Sequence, residues 1–339
     1  MSGITEAPVT VTLEELKHGI DDITLQKAFG PNSLGIIVVK NLPQYFQELR
    51  EKVLKSASVL ANLPQKQLKE LESEEAMWLV GWSCGKEKLA STGKPDYNKG
   101  SFYVNCSFHK DETLEGPTKD LVDSFPNHKA YTESNKWPIE FEDLIEFKLN
   151  LKKLCNLIID VAELVALNCD KYIKNIYSDY EDGYLRRIVK ESTCTKARLL
   201  HYFPSQGSSD NDDDWCGEHL DHSCLTGLTS ALFIDESKGL TNSLENSPDP
   251  SAGLYIKNRD NKTIKVNIPK DCLAFQSGSA LQEVSKGKFK AVPHFVKGTN
   301  HKNIARNTLA VFCQPNLNEK INEYENFAEY SDRILKENH

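Results

Sequence analysis

Trp215-Cys-Gly-Glu-His-Leu-Asp-His222 places a histidine, His219, two residues before a carboxylate, Asp221. On a strand, residues i and i+2 project from one face, so the imidazole and the carboxylate converge on one point while Glu218 and His222 turn the other way. A metal site needs a third ligand, and it has to come from far along the chain. His294, in the strand-like apolar run Ala291-Val-Pro-His-Phe-Val296, supplies one. Two histidines and one carboxylate on one face of an ion leave the opposite positions open, an arrangement that suits Fe(II) and oxygen chemistry. The expected metal ligands are therefore His219, Asp221 and His294.

Arg306-Asn-Thr308 repeats the i, i+2 device inside the apolar run that leads into Leu309-Ala-Val-Phe312. An inward guanidinium in such a strand is costly unless it meets an anion, and its planar fork matches a carboxylate. The expected anion is a small dicarboxylate, bound at the metal by one end and held by Arg306 and Thr308 at the other.

From Arg198 onward, short runs with strand propensity are punctuated by Gly, Pro, Asn and Asp, which points to a sandwich or barrel. The expected strands are Arg198–Phe203, Leu225–Ile234, Gly253–Lys257, Thr263–Ile268, Cys272–Gln276, His294–Val296 and Arg306–Cys313. The polar tail beyond Pro315 reads as helical. Before them, Phe141, Leu144, Leu151, Cys155, Ile158, Ala162, Val165 and Cys169 recur at steps of three and four, predicting one long amphipathic helix over about 138–175. The first third reads as mixed helix and strand. A helix begins at the Thr12 to Glu15 capping box, a buried strand covers Leu34–Val39, and a helix covers Gln44–Ala61. Strands at Met77–Trp82 and Ser101–Val104 flank a polar loop from Gly85 to Gly100. Residues 1–135 are expected to pack as a helix and strand region on one compact unit, 136–339.

Composition narrows the partners. The chain has 339 residues, and 41 Lys+Arg against 49 Asp+Glu give a formal net charge of −8. With no basic, aromatic-interleaved patch, nucleic acid is disfavoured. Nine cysteines are scattered with no CxxC pair, which argues against a disulfide framework and a zinc ribbon. No leader-like start and no run of membrane-spanning length is present, so a cytoplasmic protein, expected as a monomer with no membrane partner, is the default. The run Asp210–Asp214 reads as a solvated acidic loop, and Cys216 and Cys224 as small packing residues.

The order His-x-Asp, distant His, Arg-x-Ser/Thr resembles the Fe(II)/2-oxoglutarate-dependent dioxygenases of the isopenicillin N synthase-like family. Leu34-Gly-Ile-Ile-Val-Val-Lys-Asn41 is similar to its early buried strand and Leu63-Pro64 to its LP turn. Leu225-Thr-Gly-Leu228, Gly253-Leu-Tyr-Ile256, Val266-Asn-Ile-Pro269, Leu281-Gln282 and Gly287 fall where that family has its later elements. The resemblance implies a mainly β fold with α, a distorted double-stranded β-helix (jelly roll) core flanked by helices. It also implies a hydroxylase or desaturase of a small organic molecule that uses O2 and converts 2-oxoglutarate to succinate and CO2. Fe(II) would sit on His219, Asp221 and His294, Arg306 and Thr308 would hold the cosubstrate, and ascorbate would serve as reductant.

Departures from the family pattern shape the rest. Arg198-Leu-Leu-His-Tyr-Phe-Pro204 puts His201 where the family has Asn and Phe203 where it has a cosubstrate-contacting Tyr, so Tyr202 becomes the candidate to replace it. Phe295-Val296 follows the second histidine where Arg-Val is usual, and Thr308 keeps the hydroxyl of the commoner Ser. Lys99, Ser101 and Tyr103, with His201, are the candidate substrate residues. An iron oxidase that does without 2-oxoglutarate is the first alternative, and Arg306 with Thr308 speaks against it. A jelly-roll binding module without turnover is the second, supported by Phe203. A zinc hydrolase is third, because Glu218 points away from the metal position.

Overall fold

Ile304–Cys313 is the strand on which the larger sheet is built, and nearly all of its ten residues are buried. It pairs antiparallel on one side with Lys196–Tyr202, and on the other with Leu225–Thr229 and Leu232–Asp235 in succession. Beyond Lys196–Tyr202 the sheet continues to Lys99–Asn105 and Gly81–Cys84; beyond Leu225–Thr229 it continues through Leu273–Ser277 and Ile36–Lys40 to a parallel edge strand, Val9–Thr12. A second sheet of four antiparallel strands runs Thr263–Val266, Gly253–Lys257, His294–Lys297, Cys216–His219. Between the sheets the alternate inward residues Ile36, Val38, Ala274, Ile256, Ile264 and Val266 form a small apolar core, as the two-residue period of each strand dictates. The architecture is the expected jelly roll flanked by helices. The computed structural model describes residues 7–88, 93–138, 141–205, 216–299 and 301–337, so the acidic run Asp210–Asp214 and the side chain of Cys216 lie outside what is described.

Phe147–Ile176 is the long helix, and it buries Leu151, Leu154, Ile158, Ala162, Val165, Cys169 and Ile173 against the outer face of the sheet. Contact is close: a Cβ on Gly227 would lie 2.3 Å from the Ile158 side chain. The helix starts later than the spacing predicts. Glu142–Leu144 is a 3-10 turn, and a three-residue period also keeps Phe141, Leu144 and Phe147 on one side, so apolar spacing alone reads through it.

Two further departures have local causes. The expected strand Leu225–Ile234 is broken at Ser230-Ala231, where buried Arg50 from the helix Phe46–Ala61 donates to the Ser230 carbonyl at 2.9 and 2.8 Å and to the Ala231 carbonyl at 2.8 Å. The expected strand Met77–Trp82 begins only at Gly81, because Met77 and Trp78 take positive φ values of 51° and 56° in a tight turn. The Thr12 capping box opens Leu13–His18 as expected. Lys196 fastens the sheet to the N-terminal region through Leu79 O at 2.7 Å, Asn105 Oδ1 at 2.8 Å and Ala130 O at 2.6 Å. The eight cysteines whose side chains are described are all free thiols. Among the described residues no helix is long and apolar enough to cross a membrane.

Candidate active site

His294 and His219 are direct cross-strand partners in the smaller sheet. Their ring centroids lie 4.3 Å apart. Asp221 Oδ1 is 3.6 Å from His219 Nε2 and 3.7 Å from His294 Nε2, and one ligand atom from each residue falls within 4.8 Å of the others. Two imidazole nitrogens and one carboxylate oxygen at this spacing fit a divalent first-row ion bound on one face. Burial acts to raise the Asp221 carboxyl, but the facing imidazoles of His294 and His219 outweigh it and hold the group below its ordinary value. Burial lowers His294, which keeps its ring neutral and available as a ligand. One detail differs from expectation: the strand ends at His219, so Asp221 reaches the same point from the following turn rather than from within a strand.

That turn is held from below. Ser279 donates its backbone N–H and its hydroxyl to the Asp221 carbonyl at 2.7 and 3.0 Å, and Tyr330 of the C-terminal helix donates to the Ser279 hydroxyl at 2.7 Å. Gly278 makes the approach possible, since a Cβ there would sit 3.1 Å from the Asp221 carbonyl oxygen and 1.9 Å from that of Ser223. Each histidine ring is oriented by the carbonyl two residues before it: His219 Nδ1 lies 2.7 Å from Gly217 O, and His294 Nδ1 lies 3.3 Å from Val292 O. A carbonyl only accepts, so the short bond of His219 favours a proton on its Nδ1 and turns its Nε2 lone pair toward Asp221; His294 Nδ1 also lies 2.8 Å from Gln276 Nε2.

A cavity of about 200 Å³ between the sheets is lined by all three of these residues and also by Arg306, Thr308 and Tyr202. Arg306 is 5% exposed, and its guanidinium lies over the Tyr202 ring at 5.1 Å from the centroid. The two are cross-strand partners. Thr308 Oγ1 donates to Thr229 O over a long 3.3 Å, and such a hydroxyl can rotate toward a stronger acceptor. Lys265 from the opposite sheet also lines the cavity; burial lowers its ammonium, Asp249 opposes that, and the charge of Arg306 lowers it further. Two cations that raise each other's free energy in one cavity make it a site for an anion.

Alternation decides which neighbours belong. Arg198, Leu200 and Tyr202 face the cavity, so Leu199, His201 and Phe203 face away. His201, expected near substrate, is instead 1% exposed behind the sheet, with Nδ1 2.8 Å from Asn307 Oδ1 and 3.4 Å from Ser58 Oγ. Phe203 packs on His201 at 4.6 Å between centroids. Lys99, Ser101 and Tyr103 do share the cavity side of their strand but are not in its lining. They cage Arg198, which is: Arg198 Nε donates to Ser101 Oγ at 2.9 Å, and its guanidinium lies 5.1 Å from the Tyr103 ring centroid. Lys99 pairs with Asp96 and Glu87, each at 3.0 Å. Burial opposes ionisation of Glu87, but Arg198 and Lys99 hold its carboxyl down at about 2. Glu218 is paired with Lys257 at 3.2 Å, away from the histidines. Sequence reading missed Arg198 and Lys265; their spacing carries no signal, and only the pairing of strands brings them to the cavity.

Residues 194–315 match the family model described as 2OG-Fe(II) oxygenase superfamily. A 2-oxoglutarate-Fe(II) type oxidoreductase from Aspergillus fumigatus is 27% identical over 227 residues, which is 63% of this chain and 59% of that protein. The fold is similar to that of a full-length Neurospora crassa protein crystallised in complex with alpha-KG, with a TM-score of 0.69, 18% identity and 98% of both chains covered. It is also similar to a putative 2OG-Fe(II) oxygenase family protein from Caulobacter crescentus, with a TM-score of 0.71, 18% identity, 99% of this chain and 100% of that one covered. Both structural likenesses extend beyond the matched segment to the N-terminal strands and helices. Residues 194–315 thus match a 2OG-Fe(II) oxygenase superfamily domain, within a chain that spans 59% of the length of the curated relative.

Proposed function

We propose that this chain is an Fe(II)- and 2-oxoglutarate-dependent oxygenase acting on a small organic molecule. The observation that carries the reading is the presence of Arg306, with Tyr202 beneath it and Thr308 beside it, in the same cavity as His219, Asp221 and His294. The two histidines and Asp221 hold the ion. Fe(II), when bound, supplies the coupling of 2-oxoglutarate decarboxylation with O2, giving succinate and CO2, to oxidation of a substrate C–H bond.

The residues of the chain do the positioning. Arg306 binds the distal carboxylate of the cosubstrate through its planar fork, in a site dry enough for that pairing to be strong. Thr308 exchanges its long bond to Thr229 for a carboxylate oxygen. Tyr202 stacks under the guanidinium and fixes its direction. Lys265 adds a second positive charge that suits a dianion. Arg198, braced by Ser101, Glu87 and Tyr103, is a charged group available to the substrate, among the apolar walls of Leu200, Leu228 and Ala310. The reading therefore keeps Lys99, Ser101 and Tyr103 as supports of a substrate contact rather than as contacts themselves. Since Tyr202 faces the cavity, Phe203 no longer argues for a module without turnover.

Turnover in air tests the proposal: pure protein with Fe(II), ascorbate and 2-oxoglutarate is expected to release succinate and CO2 in equal amounts, slowly without substrate and faster when a small substrate fits. His219→Ala is expected to abolish both. Succinate at background in the wild type as well as in the variant, across a panel of candidate small molecules, would overturn it.

A further inference from the structure

We infer that Gln276 selects the tautomer of His294 by turning its side-chain carbonyl, rather than its NH2 group, toward the imidazole. The inference rests on the proposed metal role of His294 and adds a positioning residue to that site. Gln276 sits on Leu273–Ser277, a strand of the larger sheet, yet its side chain crosses the space between the sheets to a residue of the smaller one. It is fully buried.

Three observations fix the argument. Gln276 Nε2 lies 2.8 Å from His294 Nδ1. Gln276 Oε1 has no hydrogen-bond partner among the described residues although it is buried. Val292 O lies 3.3 Å from the same Nδ1. The carbonyl of Val292 can only accept, so Nδ1 holds a proton and a facing NH2 would oppose donor to donor. The oxygen and nitrogen of a glutamine amide are nearly alike in shape, and a half-turn about the last side-chain bond exchanges them. After that turn Oε1 accepts from Nδ1–H at 2.8 Å, which gives the ring N–H an acceptor closer than Val292 O at 3.3 Å.

The two histidines explain why His294 needs this and His219 does not. His219 Nδ1 has a short 2.7 Å bond to Gly217 O, whereas the corresponding bond of His294 to Val292 O is stretched to 3.3 Å. With the weaker tether alone, His294 could move its proton to Nε2 and turn an N–H toward Asp221, and the ligand atom would be lost. Gln276 removes that choice before any ion arrives, which raises the affinity of the site through preorganisation.

The test uses Gln276→Met, close in shape but only a weak acceptor, and Gln276→Glu, which when ionised can only accept. Co(II) binding to the metal-free protein is followed by titration. The expected order is Gln276→Glu equal to or tighter than wild type, and Gln276→Met about 10–100-fold weaker, with thermal midpoints of the three metal-free proteins alike. Nitrogen-15 NMR of the His294 ring in the metal-free wild type is expected to show protonated Nδ1, and Gln276→Met a mixture with protonated Nε2. Equal Co(II) affinity in all three proteins, or a wild-type ring protonated on Nε2, overturns the inference. Failure of His294→Ala to weaken Co(II) binding would instead strike the metal site itself, so the two claims fail separately.

Discussion

Asp221 Oδ1 stands almost midway between two imidazole nitrogens, 3.6 Å from His219 Nε2 and 3.7 Å from His294 Nε2, because His219 and His294 oppose each other across adjacent strands. One register thus assembles a donor set from chain segments far apart. A slip of one residue would turn His294 to the other face. Replacing any of the three with Ala is expected to cost more than the roughly 10–100-fold that outer-shell changes cost in metal affinity, measured by bound iron per chain. Chelation of the wild type is expected to stop 2-oxoglutarate consumption, and added Fe(II) to restore it.

Arg306 is expected to act on the cosubstrate and not on the ion. Arg306→Leu removes a buried charge-assisted pair, with an expected loss of about 3 kcal/mol, or roughly 100-fold in the KM for 2-oxoglutarate. Iron content should stay at the wild-type level. A KM that does not move would show that the guanidinium serves only the fold.

Tyr202 and Phe203 separate two readings of one segment. Tyr202→Ala deletes the ring under Arg306 and is expected to weaken 2-oxoglutarate binding by about 0.5–2 kcal/mol, with a further loss of thermal stability because the ring is 2% exposed. Phe203→Tyr is expected to leave the KM unchanged, since residue 203 faces away from the cavity. Steady-state kinetics on both variants checks the pair.

How much of this was legible beforehand follows from where each signal lies. Arg306-x-Thr308 is a local pair at the strand period, so spacing alone brings it to one side; His219-x-Asp221 is as close in sequence, but its second member reaches the site from the turn after the strand. His201, Tyr202 and Phe203 were not so easily sorted: both faces of Lys196–Tyr202 are buried, so no apolar alternation marks the inward side. The partner settles it, because Tyr202 opposes Arg306 while His201 opposes Asn307. The same physics hid Arg198, Lys265 and Gln276, whose roles exist only across strands. The corner at Ser230-Ala231 was hidden for a different reason, since it is made by Arg50 from a remote helix.

His201 gives the fold a pH dependence. Burial pulls its pKa from 6.5 down to about 4, so the folded state resists a proton that the unfolded chain accepts. The associated stability is full above about pH 6.5 and is lost as pH falls from there through 4, amounting to about 3 kcal/mol. His201→Gln is expected to flatten that part of the stability curve, measured by denaturant unfolding from pH 7 to 4. An unchanged slope would place the proton elsewhere.

Binding of 2-oxoglutarate to the protein without O2, followed by calorimetry, decides whether Arg306 and the metal ligands hold one dicarboxylate between them. One equivalent is expected to bind when Fe(II) is present, with binding sharply weakened by Arg306→Leu while the iron stays in place, and weakened as well in His219→Ala where the iron is lost. Undiminished binding in both variants would contradict it, because the dicarboxylate would then lie somewhere other than between these residues.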